Sequence, residues 1–228
     1  MLRVQQLSVN GRRDELLPAT SLQVRRGELL LVSGNRQDQR TALALALSGR
    51  LKPSGGHFEW DGAAWEGGAR IKALRQASAV VDSPGVNEPE QHLSVRDLVT
   101  EDLALVPRRY RGTAPDKAWL KVNRFEDIAG LWTEQLPAAR RVELLTALAL
   151  ANPQTDLLVV DSPDRHGDPG DWLPRLEELA YDAGRPLAVV ATVMRLPAGW
   201  TGPAAAIGNA GSPSPGDPSA TPEVEDAK

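Results

Sequence analysis

Cysteine is absent from the chain, which excludes disulfides and thiolate-held metals and suits a reducing cytosol. Residues 1–13 contain no apolar core of the kind a secretory leader needs. No apolar run approaches the roughly 18 residues that cross a bilayer, so membrane association is expected only through a partner. Positive charge is short as well: 26 basic residues against 30 acidic ones, a net charge of −4, give no electrostatic reason to expect nucleic acid. Lysine is confined to Lys52, Lys72, Lys117, Lys121 and Lys228; arginine is the default cation, so a lone arginine says little about chosen chemistry. No Phe, Tyr or Trp precedes Phe58. A G-x-S-x-G elbow, an H-E-x-x-H pair and a Rossmann glycine triplet are all missing, which removes three common catalytic or cofactor signatures.

What is present suffices for a core. Hydrophobic residues make up 41% of 228 positions, enough for one large domain or two small ones. The most informative stretch is residues 27–56. Leu29-Leu30-Leu31-Val32 is too short for a helix and is bounded by turn formers, so it reads as a buried strand. A polar loop over 33–40 follows, then helix formers over 41–48 that end at Gly49, where a C-cap glycine belongs. Strand, polar loop and helix are the layout of a phosphate-binding loop, in which backbone N–H groups and the helix dipole face an anion. The pattern for such a loop is G-x-x-x-x-G-K-[ST], and the chain reads Gly34-Asn35-Arg36-Gln37-Asp38-Gln39-Arg40-Thr41. The first glycine and the threonine match; Gln39 replaces the second glycine and Arg40 the lysine.

The surroundings of this loop carry a resemblance. Gly27-Glu28 precedes the strand, and Gly49-Arg50-Leu51-Lys52-Pro53-Ser54-Gly55-Gly56 and Trp60-Asp61-Gly62 follow the helix. Further on come Leu93-Ser94-Val95-Arg96-Asp97-Leu98, Arg140-Arg141-Val142 to Leu150, Asn152-Pro153 and Leu157-Leu158-Val159-Val160-Asp161-Ser162-Pro163. In this order they resemble the landmarks of ABC transporter ATP-binding proteins, over about residues 2–211.

The resemblance implies an α/β fold, the P-loop NTPase fold of the ABC ATPase type, with a mixed sheet core, an antiparallel β edge and a small helical subdomain near 88–138. One domain would occupy 1–211, and the Pro/Ser-rich, acidic tail at 212–228 is expected to be disordered. ATP and Mg²⁺ are the implied ligands. Gly34, Asn35, Arg36, Gln37, Asp38, Gln39, Arg40, Thr41 and Ala42 would hold the nucleotide, and Thr41, Asp82 and Asp161 the metal. The implied partners are a membrane permease, a second ABC ATPase subunit or both, in a dimeric complex at the cytoplasmic face of the membrane.

Strands are expected at 2–9, 21–26, 57–60, 78–81, 156–160, 187–192 and 204–207, and helices over 93–105, 118–131, 140–150 and 171–184. The last helix would bury Trp172, Leu176, Leu179 and Ala183 on one face.

Departures from the family pattern concentrate in the chemistry. The aromatic residue that stacks on adenine is replaced in Gly11-Arg12-Arg13-Asp14. Gln39 must strain or reshape a loop that favours glycine, and the planar fork of Arg40 does not replace a lysine point charge. The family glutamine that contacts Mg²⁺ is Asp82, equally at home as a turn residue before Pro84. Glu134-Gln135-Leu136-Pro137-Ala138 stands at the glycine-bearing signature, where Pro137 removes a donor. The catalytic glutamate is Ser162, and losing a general base costs about 10²- to 10⁴-fold in rate. The switch histidine is Val193, and His166 has no metal-ligand partner at sensible spacing along the chain.

Three readings follow. The first is a subunit with a degenerate nucleotide site, architectural or regulatory beside a permease or a competent ATPase. The second is an active but unconventional ATPase using Arg40, Thr41 and Asp161, with Asp82 as base or Mg²⁺ ligand. The third is a soluble interaction module without nucleotide.

Overall fold

The computed structural model describes residues 1–64, 68–111 and 116–210; the tail at 212–228 lies outside them. The chain opens with a hairpin, β1 (Leu2–Asn10) against β2 (Glu15–Val24), then β3 (Glu28–Ser33), α1 (Gln37–Leu47), β4 (Gly55–Trp60) and β5 (Ala63–Ala64). Next are α2 (Gly68–Ala77), β6 (Ser78–Val81), α3 (Val95–Leu105), α4 (Asp116–Val122) and α5 (Ala138–Ala149). The last elements are β7 (Leu157–Asp161), α6 (Pro169–Tyr181), β8 (Ala188–Val193) and β9 (Ala204–Ala206). The strands form two sheets, an antiparallel one ordered β2-β1-β4-β5 and a parallel one ordered β6-β7-β8-β3-β9. The expected α/β architecture is present, with the antiparallel strands in a sheet of their own.

The all-apolar Leu29-Leu30-Leu31-Val32 is explained by burial on both faces, the usual fate of a central parallel strand. Successive side chains alternate across a strand. Leu30 and Val32 pack with α1 and the antiparallel sheet, whereas Leu29 and Leu31 pack with Val142, Leu144 and Leu176 of α5 and α6. Helix α1 is therefore sandwiched between the sheets.

Several boundaries differ from the sequence expectations. Helix α1 starts at Gln37, so residues 37–40 are its first turn and not loop. Strand β2 starts at Glu15 and runs through Pro18, which an edge strand tolerates because it needs no donor on its outer side. The helix expected over 118–131 ends at Val122, where Arg124 turns left-handed (φ 62°), and resumes only as a 3₁₀ turn, Glu126–Ile128. Leu120, Phe125 and Ile128 still enter one core. Helix α6 ends at Tyr181; Ala183 lies beyond it and is exposed, and Ala180 completes the buried face.

Candidate functional site

The carboxyl ends of β3, β7 and β8 deliver Ser33, Asp161 and Val193 side by side through the parallel register. Helix α1 starts three residues after Ser33 is passed, with only Gly34, Asn35 and Arg36 as connection. Arg40 falls on the apolar side of α1, one turn before Leu43 and Ala44, and is buried to 3% exposure. Its guanidinium turns back into the loop. Nε donates to Ser162 Oγ (2.8 Å), one terminal nitrogen to the Gly34 carbonyl (2.6 Å) and the other to Gln37 Oε1 (2.6 Å).

Asp161 is fully buried, and four side chains donate to it. Its oxygens accept from Thr41 Oγ1 (2.7 Å), Ser162 Oγ (2.8 Å), Thr192 Oγ1 (3.0 Å) and Gln37 Nε2 (3.3 Å). Ser162 takes a left-handed conformation (φ 56°), which costs an ordinary residue about 1–2 kcal/mol. Its N–H is fixed by the carbonyl and hydroxyl of Thr192, at 3.0 and 3.1 Å. Arg40 and Asp161 thus form a buried charge pair bridged by the Ser162 hydroxyl and the Gln37 amide. Outside this pair, Asp38 sits in the first turn of α1 with its carboxylate bound by Arg36 (2.5 and 3.1 Å). That hydrogen bond, opposed by slight burial and aided by the Arg36 charge and the Gln39 amide, holds the carboxyl below its usual range.

These residues do not fit a magnesium triphosphate as they stand. A guanidinium spans the loop, Thr41 and Asp161 are bonded to each other, and a carboxylate already sits at the helix N-terminus. Of the positions expected to hold nucleotide, Gln37 and Thr41 reach Asp161, Arg40 reaches Ser162 and the Gly34 carbonyl, and Arg36 and Asp38 pair with one another at the surface. Gln39 has no positive φ, so the loop is reshaped and not strained. Arg12 and Arg13 are exposed on the β1–β2 turn.

Asp82 does not join Thr41 and Asp161. At the end of β6, in a left-handed conformation (φ 59°), it is grasped by Arg141 in bidentate fashion, Nε to Oδ2 at 2.9 Å and a terminal nitrogen to Oδ1 at 2.8 Å. Both side chains are at least nine-tenths buried. Arg165 donates to the Asp82 carbonyl (2.7 Å) and pairs with Glu88 (2.9 Å), and His166 Nε2 lies 3.1 Å from Asp82 Oδ2. Burial opposes the Asp82 charge, but the Arg141 and His166 contacts outweigh it and hold the carboxyl far below the usual range.

The expectation that His166 lacks ligand partners is therefore corrected: Asp82, Glu88 and His166 bring donor atoms within 4.8 Å of one another. Arginines occupy the two carboxylates, so the cluster is an ion-pair network. Linear spacing hid it because Asp82 and His166 end neighbouring strand connections. Arg141 was legible by another route, since on a helix it shares a face with Leu144 and Leu145, both buried.

Val193 is buried without a polar group, and Pro137 caps α5 without a side-chain hydrogen bond. Of the expected signature residues, Glu134 and Gln135 lie in a 3₁₀ turn, Thr133–Gln135, Leu136 follows it, Pro137 is the cap of α5 and Ala138 begins that helix.

No protein-family model matches the chain. It is 26% identical over 215 residues to the hemin import ATP-binding protein HmuV of Bordetella avium, covering 87% of this chain and 79% of that protein. Among solved structures it resembles cbiO1 of Clostridium perfringens, part of the ABC transporter complex cbiONQ, with TM-score 0.61, 19% identity and coverage of 85% and 78%. It also resembles the dimeric bacterial ABC transporter cassette MJ0796, with TM-score 0.63, 17% identity and coverage of 86% and 88%. The chain has the fold of an ABC ATPase cassette. The resemblance read from the sequence holds. A post-hydrolysis form of the same MJ0796 cassette, TM-score 0.60, holds ADP and phosphate. Among the described residues of this cassette no helix is long and apolar enough to cross a membrane.

Proposed function

We propose that this cassette is a subunit that does not turn over ATP and serves as an architectural or regulatory partner of a membrane permease, or of a competent ATPase subunit, at the inner face of the membrane. The observation that carries the reading is Arg40, whose buried guanidinium closes the loop onto Ser162 while Thr41 and Asp161 satisfy each other. Ser162 has no proton affinity suited to activating water, and Val193 cannot hydrogen-bond a phosphate. The partner half of the reading rests on a groove of about 280 Å³ between β6 and α3, with Val81, Asn87, Leu98 and Leu105 among its walls. Leu105 is 81% exposed there and Val86 nearby is 55% exposed, apolar surface suited to a docked partner.

Calorimetric titration with Mg-ATP tests the first half. No saturable binding up to millimolar nucleotide is expected, and micromolar binding would overturn the closed-site reading. A second prediction concerns repair: Arg40→Lys alone is expected to give no measurable turnover, because Ser162 and Val193 remain. Phosphate release by that single variant above the rate of the native chain would show that the losses are not cumulative.

A further inference from the structure

A separate cavity of about 310 Å³ opens between α6 and the connection from β8 to β9, walled by Leu173, Glu177, Tyr181, Pro197 and Trp200. Trp200 is held in place. Its backbone N–H donates to the Pro197 carbonyl (3.1 Å) and its indole N–H to the Pro203 carbonyl (3.1 Å). Gly202 permits this, since a Cβ there would run into the indole ring. Tyr181 is 53% exposed, so its ring faces solvent at this opening and not a packed core.

Glu177 is half-buried, yet among the described residues no hydrogen bond or ion pair reaches its carboxylate. Its neighbour Glu178 pairs with Arg175, and Glu28 of β3 pairs with Arg25, so no cation is directed at Glu177. Burial, then the charges of Glu177 and Glu28, push the Tyr181 phenol up. Two aromatic rings beside an unpaired carboxylate are the surroundings that attract an organic cation, through the ring quadrupoles and the charge together. An anion or an apolar ligand would leave the carboxylate unanswered.

We infer that this cavity is a binding site for an organic ammonium group, independent of the nucleotide region. Two sources share that chemistry, a small free quaternary ammonium compound and a lysine side chain of a bound protein. The experiment follows the Trp200 indole N–H resonance, assigned by its loss in Trp200→Phe, during titration of the full chain with tetramethylammonium, with Nα-acetyl-lysine methylamide and with uncharged 2,2-dimethylpropanol. A saturable shift with either ammonium probe and none with the alcohol is the expected result; the tighter of the two probes identifies the source. Glu177→Gln, at a half-buried position of α6, and Tyr181→Ala, at an exposed one, are each expected to weaken binding about tenfold, the scale of a cation–π contact with its charge partner. An equal response to the alcohol, no saturable response to either cation, or unchanged affinity in both variants would overturn the inference.

Discussion

Replacing Arg141 by methionine is expected to lower stability by about 3–5 kcal/mol at neutral pH, the usual cost of leaving one partner of a buried ion pair alone. Asp82 loses both Arg141 donors at once and keeps His166 beside it, and with the pair at least nine-tenths buried water cannot replace the lost donors. Urea denaturation measures it. The double variant Arg141→Met, Asp82→Leu is expected to regain most of the loss, because removing both charges also removes the desolvation cost. The pH dependence has a definite sign. Asp82 has a folded pKa below its unfolded value of about 3.9, so the pair stabilises fully above that value and loses its contribution as pH falls through the acid range. The difference between the native chain and Arg141→Met therefore shrinks toward pH 3. A loss below about 1 kcal/mol at pH 7, the range of an exposed pair, would show that the network is not sealed from water.

Asp161→Asn separates a metal site from a structural one. Where an aspartate waits for Mg²⁺, its neutralisation leaves the metal-free protein intact. Here Asp161 is the charge that answers the buried Arg40 across Ser162 and Gln37. The amide also presents N–H groups toward the Thr41 and Thr192 hydroxyls, which now donate into a carboxylate. A loss of about 3 kcal/mol is expected from the unpaired buried cation and mismatched donors. Combining it with Arg40→Met is expected to give a coupling energy above about 1 kcal/mol, as groups in one network are not additive. Additive effects, or an Asp161→Asn variant as stable as the native chain, would mean that the two charges are independent and that the site has room for an ion.

Both predictions describe one design. At the end of β6 buried Asp82 is paired directly with Arg141, and at the end of β7 buried Asp161 is linked to Arg40 through Ser162 and Gln37. The cassette holds this region together by internal polar networks, as the architectural role proposed above would have it.

The sequence by itself determined the cassette fold. The apolar runs Leu29-Leu30-Leu31-Val32 and Leu157-Leu158-Val159-Val160 read as buried strands, and the ordered landmarks around them resemble those of ABC ATP-binding proteins, which is what implied the sheet they build. It also carried the expectation of altered chemistry, since the resemblance puts Ser162 and Val193 where the family has a glutamate and a histidine. Tertiary structure alone decided what the substituted residues do. Whether Arg40 reaches out for phosphate or folds back on Gly34 depends on where α1 begins, and the four polar residues 37–40 carry too weak a periodicity to show that the helix starts at Gln37. Asp82 and Arg141 lie 59 positions apart; a hydrogen bond acts over a few ångströms of space, and only the packing of α5 beside β6 brings the two together.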